Sequence, residues 1–357
     1  MVSMNRTAEK NHIPQTGVQR IGDAEVSYLS YGGDGPPLVF LHATGFLPWL
    51  WHPLARDLAD SYRIFAPYFC DHREARPETG GLSWVTLADD LFRFCEELGL
   101  EKPFLVGHSM GGTVSLMANA YAGLKASGMV LIEPILLPSE LYKSGIGIEQ
   151  HPLASKAIRR TNFWKDRNEA RTYLHSRSLF RDWDDEMLEL YVRHGMSGDD
   201  GGLRLTCSPV REAALFMGVL QYDPWPILSR VSCPVLILEG EKSQNREHID
   251  QNRIASSIPN CVHHLIGGAG HLIPMEKPRE VTRLIRQFFA PLRSGSKNGE
   301  KRRQTVSKGE GGIRTKSSGV IGRPAETGRT ILWKGQRFHT QEGQAVGPEP
   351  GEVRSNI

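Results

Sequence analysis

Ser109 stands where a serine could act as a nucleophile. It is the centre of Gly107-His108-Ser109-Met110-Gly111, entered from the apolar run Phe104-Leu105-Val106 and left by a helical stretch, TVSLMANAYAG. A serine hydroxyl attacks a carbonyl only when it is held in place and relieved of its proton by a neighbouring base. A tight strand-to-helix turn does the holding, and it needs small residues on its flanks, which Gly107 and Gly111 supply. The helix that starts behind the serine also points backbone N–H groups lacking intrahelical partners at the reacting centre.

The elements needed to position such a turn are legible around it. From about Gly17 to Leu292, short apolar runs alternate with helical patterns, as in a mostly parallel sheet covered on both faces. VQRIGDAEVSYLSY reads as a hairpin of two edge strands turning at Gly22-Asp23, followed by PPLVFLHA, RIFAPYF, PFLVGHS, MVLIEP, PVLILEG and CVHHLI. That makes eight strands, and the near-continuous apolarity of the last six fits burial on both sides. In TLADDLFRFCEELGL, Leu87, Leu91, Phe94 and Leu98 share one helical face, with Thr86 and Asp89 as a capping box and Gly99 as the stop. The last helix opens at Pro278 and places Val281, Leu284, Ile285 and Phe288 on one side.

The alternation breaks over residues 138–226, where no buried strand is evident and helix formers mix with large aromatics such as Trp164, Phe180, Trp183 and Tyr191. An inserted helical cap of roughly 90 residues is the expected account, with Asp199-Asp200-Gly201-Gly202 as a turn inside it. The core is then residues 17–137 and 227–292, with a flexible N-terminus over 1–16. Residues 293–357 are polar, basic and Gly-rich, and too poor in apolar side chains to offset their ordering entropy, so they are expected to be disordered.

With these motifs the chain resembles α/β-hydrolase fold proteins, in the serine-nucleophile branch with a helical cap, from Gly17 to Leu292. The resemblance implies a nucleophile elbow after the fifth strand, a cap inserted after the sixth and a histidine after the eighth. GHSMGG, the 138–226 insertion and GGAGHLIPMEKP stand at those places. It makes His271 the general base that takes the Ser109 proton and returns it to the leaving group. The third strand ends in LHATGF, similar to the family's H-G-x-P loop, with Ala43 in place of the usual glycine and Gly45 in place of the proline. By that match the N–H groups of Thr44 and Met110 form the oxyanion hole, and His42 is a structural hydrogen-bonder beneath the loop. After the fourth strand CDHREAR replaces a run the family often has, so the wall of the site is expected to differ there.

The third triad member is displaced. In most members the orienting carboxylate follows the seventh strand, where this chain has Glu241, Lys242 and Ser243. Some members, including many haloalkane dehalogenases, carry it at the end of the sixth strand, where MVLIEP ends in Glu133, 24 residues after Ser109. Glu133 is the expected acid, Glu241 the alternative, and a Ser–His dyad or an acid elsewhere in the chain the remaining arrangements.

A serine nucleophile argues against the dehalogenase and epoxide hydrolase activities of this fold, which use Asp. The expected function is carboxylesterase-like hydrolysis of a small, mostly apolar ester through an acyl-enzyme, without cofactor or metal. The alternatives are carbon–carbon bond hydrolysis of ring-fission diketones and a receptor-like ligand-binding role with little turnover. Phe46 and Trp49, near the oxyanion loop, are expected with Met110 to line the apolar side of the cleft. Arg211 and Glu212 could meet a polar substrate.

Charge and cysteine usage bound the partners. Residues 292–357 carry 13 Lys and Arg against 6 Asp and Glu; in a chain of net +3 this leaves residues 1–291 at −4. A mildly acidic folded part offers no nucleic-acid footprint, so a small-molecule substrate is the expected partner. Cys70, Cys95, Cys207, Cys233 and Cys261 are odd in number and widely spaced, as reduced thiols of a cytoplasmic protein are. No signal-peptide pattern or membrane-length apolar run is present.

Overall fold

Gly22 and Asp23 reverse the chain between the first two strands, β1 (Gln15–Ile21) and β2 (Ala24–Tyr31), which pair antiparallel with Ile21 opposite Ala24. Gly22 adopts φ +68°, open to glycine at little cost. The computed structural model describes residues 13–305 except 143 and 200. β2 is an interior strand rather than the edge strand expected, because it also pairs antiparallel with β4 (Arg63–Pro67). Then come β3 (Pro37–Leu41), β5 (Phe104–His108) and β6 (Gly128–Ile132), joined after the cap by β9 (Val235–Gly240) and β10 (Cys261–Ile266). The eight strands run in the order β1-β2-β4-β3-β5-β6-β9-β10, parallel from β4 onward.

This order places the site. The chain steps outward from β3 to β4 and then back across to β5, so strand order reverses between β3 and β5. In open α/β sheets the crevice beyond the carboxyl ends at such a point is where ligands bind. The two loops that open there are LHATGF and GHSMGG.

Side chains alternate across the sheet and both faces are covered. Leu105 of β5 points to the layer that holds α2 (Trp84–Glu97) and α3 (Met110–Ala120). Phe104 and Val106 point to the opposite layer, with α1 (His52–Leu58) and α10 (Pro278–Thr305). Leu87, Leu91 and Phe94 of α2 are fully buried, each contributing roughly 1.5–3 kcal/mol. The cap of this helix is Ser83, whose hydroxyl accepts from the Val85 N–H, and not Thr86: the helix begins three residues earlier than its apolar face suggested, at Trp84.

The insertion contains α4 (Pro152–Ile158), α5 (Arg167–His175), α6 (Asp185–His194) and α7 (Pro209–Gly218). It is not all helical. β7 (Met196–Asp199) and β8 (Gly202–Leu205) form an antiparallel hairpin around the expected turn, and Trp164 bridges to Leu203. Strands of four residues with two glycines carry too little period-2 signal to be read from sequence. The cap's aromatics build its own core: Phe180, Trp183 and Tyr191 pack as a cluster of rings 4.8–5.8 Å apart.

After the short α8 (Gln251–Ser256) and α9 (Ile273–Glu276), α10 buries Val281, Ile285 and Phe289. It runs through Pro291 to Thr305, so the tail expected to be disordered from residue 293 begins with helix; residues 306–357 lie outside the described residues. No helix among the described residues is long and apolar enough to cross a membrane.

Candidate active site

Ser109 follows β5 in a backbone conformation that L-residues avoid, φ +53° and ψ −115°, and is the residue before the first turn of α3. Strain of this kind costs on the order of 1–3 kcal/mol and persists where the surroundings impose it. The surroundings here are the glycines. A Cβ on Gly107 would collide with the Gly111 carbonyl, and a Cβ on Gly111 with the Leu41 carbonyl. The elbow is therefore packed directly against the end of β3, which brings the start of α3 beside the loop that follows Leu41. The Ser109 N–H donates to the Ile132 carbonyl at 2.8 Å, extending the ladder one residue past both strands.

The same ladder sets Glu133. Its N–H donates to the Leu238 carbonyl at 2.8 Å, and it too has a positive φ, +50°. The chain turns away sharply, and the turn is held by Thr113 of α3, whose hydroxyl donates to the Ile135 carbonyl and accepts from the Ile135 N–H, both at 2.9 Å. The Glu133 side chain is 1% exposed. Oε1 accepts from the Gly240 N–H at 2.7 Å, Oε2 accepts from the Ser243 hydroxyl at 2.7 Å, and Oε2 lies 3.1 Å from His271 Nδ1. Ser243, which occupies the place where an acid is usual, thus donates to the carboxylate that stands elsewhere.

His271 sits on the loop between β10 and α9. The backbone N–H groups on either side of it, Gly270 and Leu272, both donate to the Glu276 carboxylate, at 2.6 and 3.2 Å. Its own carbonyl faces His108 Nε2 at 2.9 Å. His108 is fully buried, and burial first, then the neighbouring His271, drives its pKa well below the usual imidazole range. It is neutral and can donate that hydrogen bond. The Asn245 side-chain amide lies 2.9 Å from His271 Nδ1, the nitrogen that meets Glu133. Glu241 is exposed and accepts from the Gly268 N–H at 2.7 Å, so it braces the histidine loop from outside. Sequence reasoning missed Asn245 and Glu276; the only signal was their proximity in the chain to Ser243 and His271.

On the β3 side, the Phe46 N–H donates to the Ala43 carbonyl at 3.1 Å, closing a tight turn over Ala43-Thr44-Gly45-Phe46. Gly45 is its third residue with φ +78°, a conformation closed to the proline usual there. Thr44 and Met110 are 6% and 1% exposed. His42 braces the turn: Nδ1–H donates to the Ala43 carbonyl and Nε2 accepts from the Phe69 N–H, each at 2.9 Å. Burial lowers its pKa to about 4, so it stays neutral. Below this loop CDHREAR folds into an ion-pair cluster, with His72 and Arg73 both hydrogen-bonded to the buried Asp90 of α2 at 2.7–2.8 Å. Phe46 packs on Trp183 and Tyr191, and Trp49 stacks on His194 at 3.7 Å, so both tie the segment after β3 to the cap. Glu212 is not free to meet a ligand, because it is buried and paired with Arg160 at 2.6 Å. Among the described residues no group of three or more His, Cys, Asp or Glu could hold a metal ion.

The fold and this loop arrangement define an α/β hydrolase, and comparison with known proteins agrees. The chain belongs to the alpha/beta hydrolase family, which it matches over residues 38–284. It is similar to a Bacillus subtilis (strain 168) protein named as an uncharacterized carboxylesterase, nap, with 26% identity over 264 residues, 72% of this chain and 80% of that one. Among solved structures it resembles E-2-(acetamidomethylene)succinate hydrolase, with TM-score 0.66 and 22% identity over 78% of this chain and all of that one. A thermophilic esterase from Thermogutta terrifontis superposes with TM-score 0.58 and 24% identity over 78% and 99%.

Proposed function

We propose that the protein is a serine hydrolase acting through an acyl-enzyme on small, mostly apolar esters, with Ser109, His271 and Glu133 as its triad. The observation that carries this reading is the buried Glu133 carboxylate 3.1 Å from His271 Nδ1, one strand away from the strained Ser109 turn. A carboxylate at Nδ1 keeps the proton on that nitrogen and leaves Nε2 free as a base. Nε2 takes the Ser109 proton as Oγ bonds to the ester carbonyl carbon. The carbonyl oxygen becomes an oxyanion facing the N–H groups of Thr44 and Met110, the latter in the first turn of α3 where no intrahelical acceptor exists. Collapse expels the alcohol with the proton from imidazolium. Water, deprotonated by His271, then attacks the acyl carbon and releases the acid and free Ser109.

The loss of proton affinity at His108 keeps a second positive charge from forming beside the imidazolium. The name of the Bacillus subtilis relative fits ester hydrolysis. The test is reaction with a fluorophosphonate probe together with turnover of p-nitrophenyl acetate and butyrate. Labelling and turnover by the wild type, both absent in Ser109→Ala, are expected. Folded wild type that neither labels nor turns over an ester refutes the reading.

A further inference from the structure

The cap carries a charged pair that lies against the turn at Gly45. Glu212 of α7 is 8% exposed, and its Oε1 lies so close to Gly45 that a Cβ there would collide with it. Its other oxygen, Oε2, accepts from Arg160 Nη1 at 2.6 Å. Arg160 follows α4, and Tyr191 of α6 packs edge-on against Phe46 at 5.7 Å. The contacts hold the turn at two successive residues, Gly45 against the Glu212–Arg160 pair and Phe46 against Tyr191. Thr44, whose N–H the reading above assigns to the oxyanion, precedes the two loop residues that these contacts hold.

We propose that Arg160 and Glu212 are positioning residues for the oxyanion loop. The departure from proline at position 45 is then explained by two demands at once, the left-handed turn and the space for the Glu212 carboxylate. The charges matter separately. A lone carboxylate beside the loop would oppose the negative charge that develops at the oxyanion, and the guanidinium at 2.6 Å offsets it. The pair is therefore tolerated beside an oxyanion only as a pair. The inference rests on the Ser109 mechanism.

The test uses full-length protein and three variants: Arg160→Met, Glu212→Gln, and the double Arg160→Met/Glu212→Leu. Apolar replacement of both partners of a buried ion pair is often neutral for stability, so the double variant keeps the protein folded. Removing one oxyanion donor costs about a hundred- to a thousandfold in kcat, and misplacing one costs less. Expected losses in kcat are about fiftyfold for Arg160→Met and about tenfold for Glu212→Gln and the double variant. KM changes by less than about threefold, and affinity for a trifluoromethyl ketone, which forms an oxyanion on the serine, falls in parallel with kcat. A purely structural role would lower Tm in the single variants and leave kcat and ketone affinity of the double variant at wild-type values. That result overturns the positioning role alone. Wild type that does not react with the ketone overturns the Ser109 mechanism, and this inference with it.

Discussion

Glu133→Gln is the substitution that weighs most on the mechanism. Oε2 of Glu133 lies 3.1 Å from His271 Nδ1. At an effective dielectric of about 20, opposite unit charges at that separation attract by about 5 kcal/mol, equivalent to about four powers of ten in rate. The His271 side chain is 27% exposed, so solvent trims this figure. The substitution also reverses a proton. With a glutamine carbonyl accepting from the Gly240 N–H, the amide NH2 faces Ser243 and Nδ1, donates to the ring, and leaves the imidazole proton on Nε2, where it cannot accept from serine. The acylation rate with a fluorophosphonate or p-nitrophenyl acetate should fall by about a thousand- to ten-thousandfold at unchanged fold, monitored by circular dichroism. Glu241→Gln, which loses a charge but keeps an acceptor for the Gly268 N–H, should stay within about threefold of wild type. Glu133→Gln within tenfold of wild type, or slower labelling in Glu241→Gln than in Glu133→Gln, would refute the assignment.

Other perturbations follow from the same contacts. Ser243→Ala removes one charge-assisted donor from Glu133 and should lower kcat about tenfold with little effect on KM, read by steady-state kinetics. Gly111→Ala drives a methyl into the Leu41 carbonyl; a loss of about 3 kcal/mol is expected, visible as a Tm lower by roughly 6–10 °C. His42 resists protonation until about pH 4 because it is buried, whereas in the unfolded chain it takes a proton near 6.5. Its depressed pKa therefore makes stability fall as pH drops from about 6.5 to 4, by up to roughly 3 kcal/mol. Thermal melts of His42→Gln should show a shallower slope across that window; an identical slope would count against the neutral buried imidazole.

What could be read ahead of the structure was what repeats or what is tightly patterned. The apolar strands, the Ser109 elbow and the amphipathic face of α2 are written in local residue spacing. Glu133 was legible as a strand-end carboxylate, yet its contact with His271 joins positions 138 residues apart and no local pattern encodes it. Asn245 and Glu276 escaped notice because each is one ordinary polar residue in a loop, made special only by what folds against it. The β7–β8 hairpin escaped because four-residue strands with glycines hardly differ from a loop. Past Leu292 the sequence carries no apolar period to announce that α10 continues to Thr305.

The turn at Glu133 has a mechanical side. The residues from Phe104 to Ile135 form one strand-helix-strand unit that carries both Ser109 and the carboxylate facing His271, with Thr113 pinning its far end. The cap begins within a few residues of that pin, so the first segment of the cap and the acid hang from the same anchor. Exchanging caps between relatives, a natural way to alter what such a protein accepts, would be safest with a junction placed after Ile135. A graft that cut before it would carry away the turn that aims the carboxylate, and would change the catalyst together with its choice of substrate.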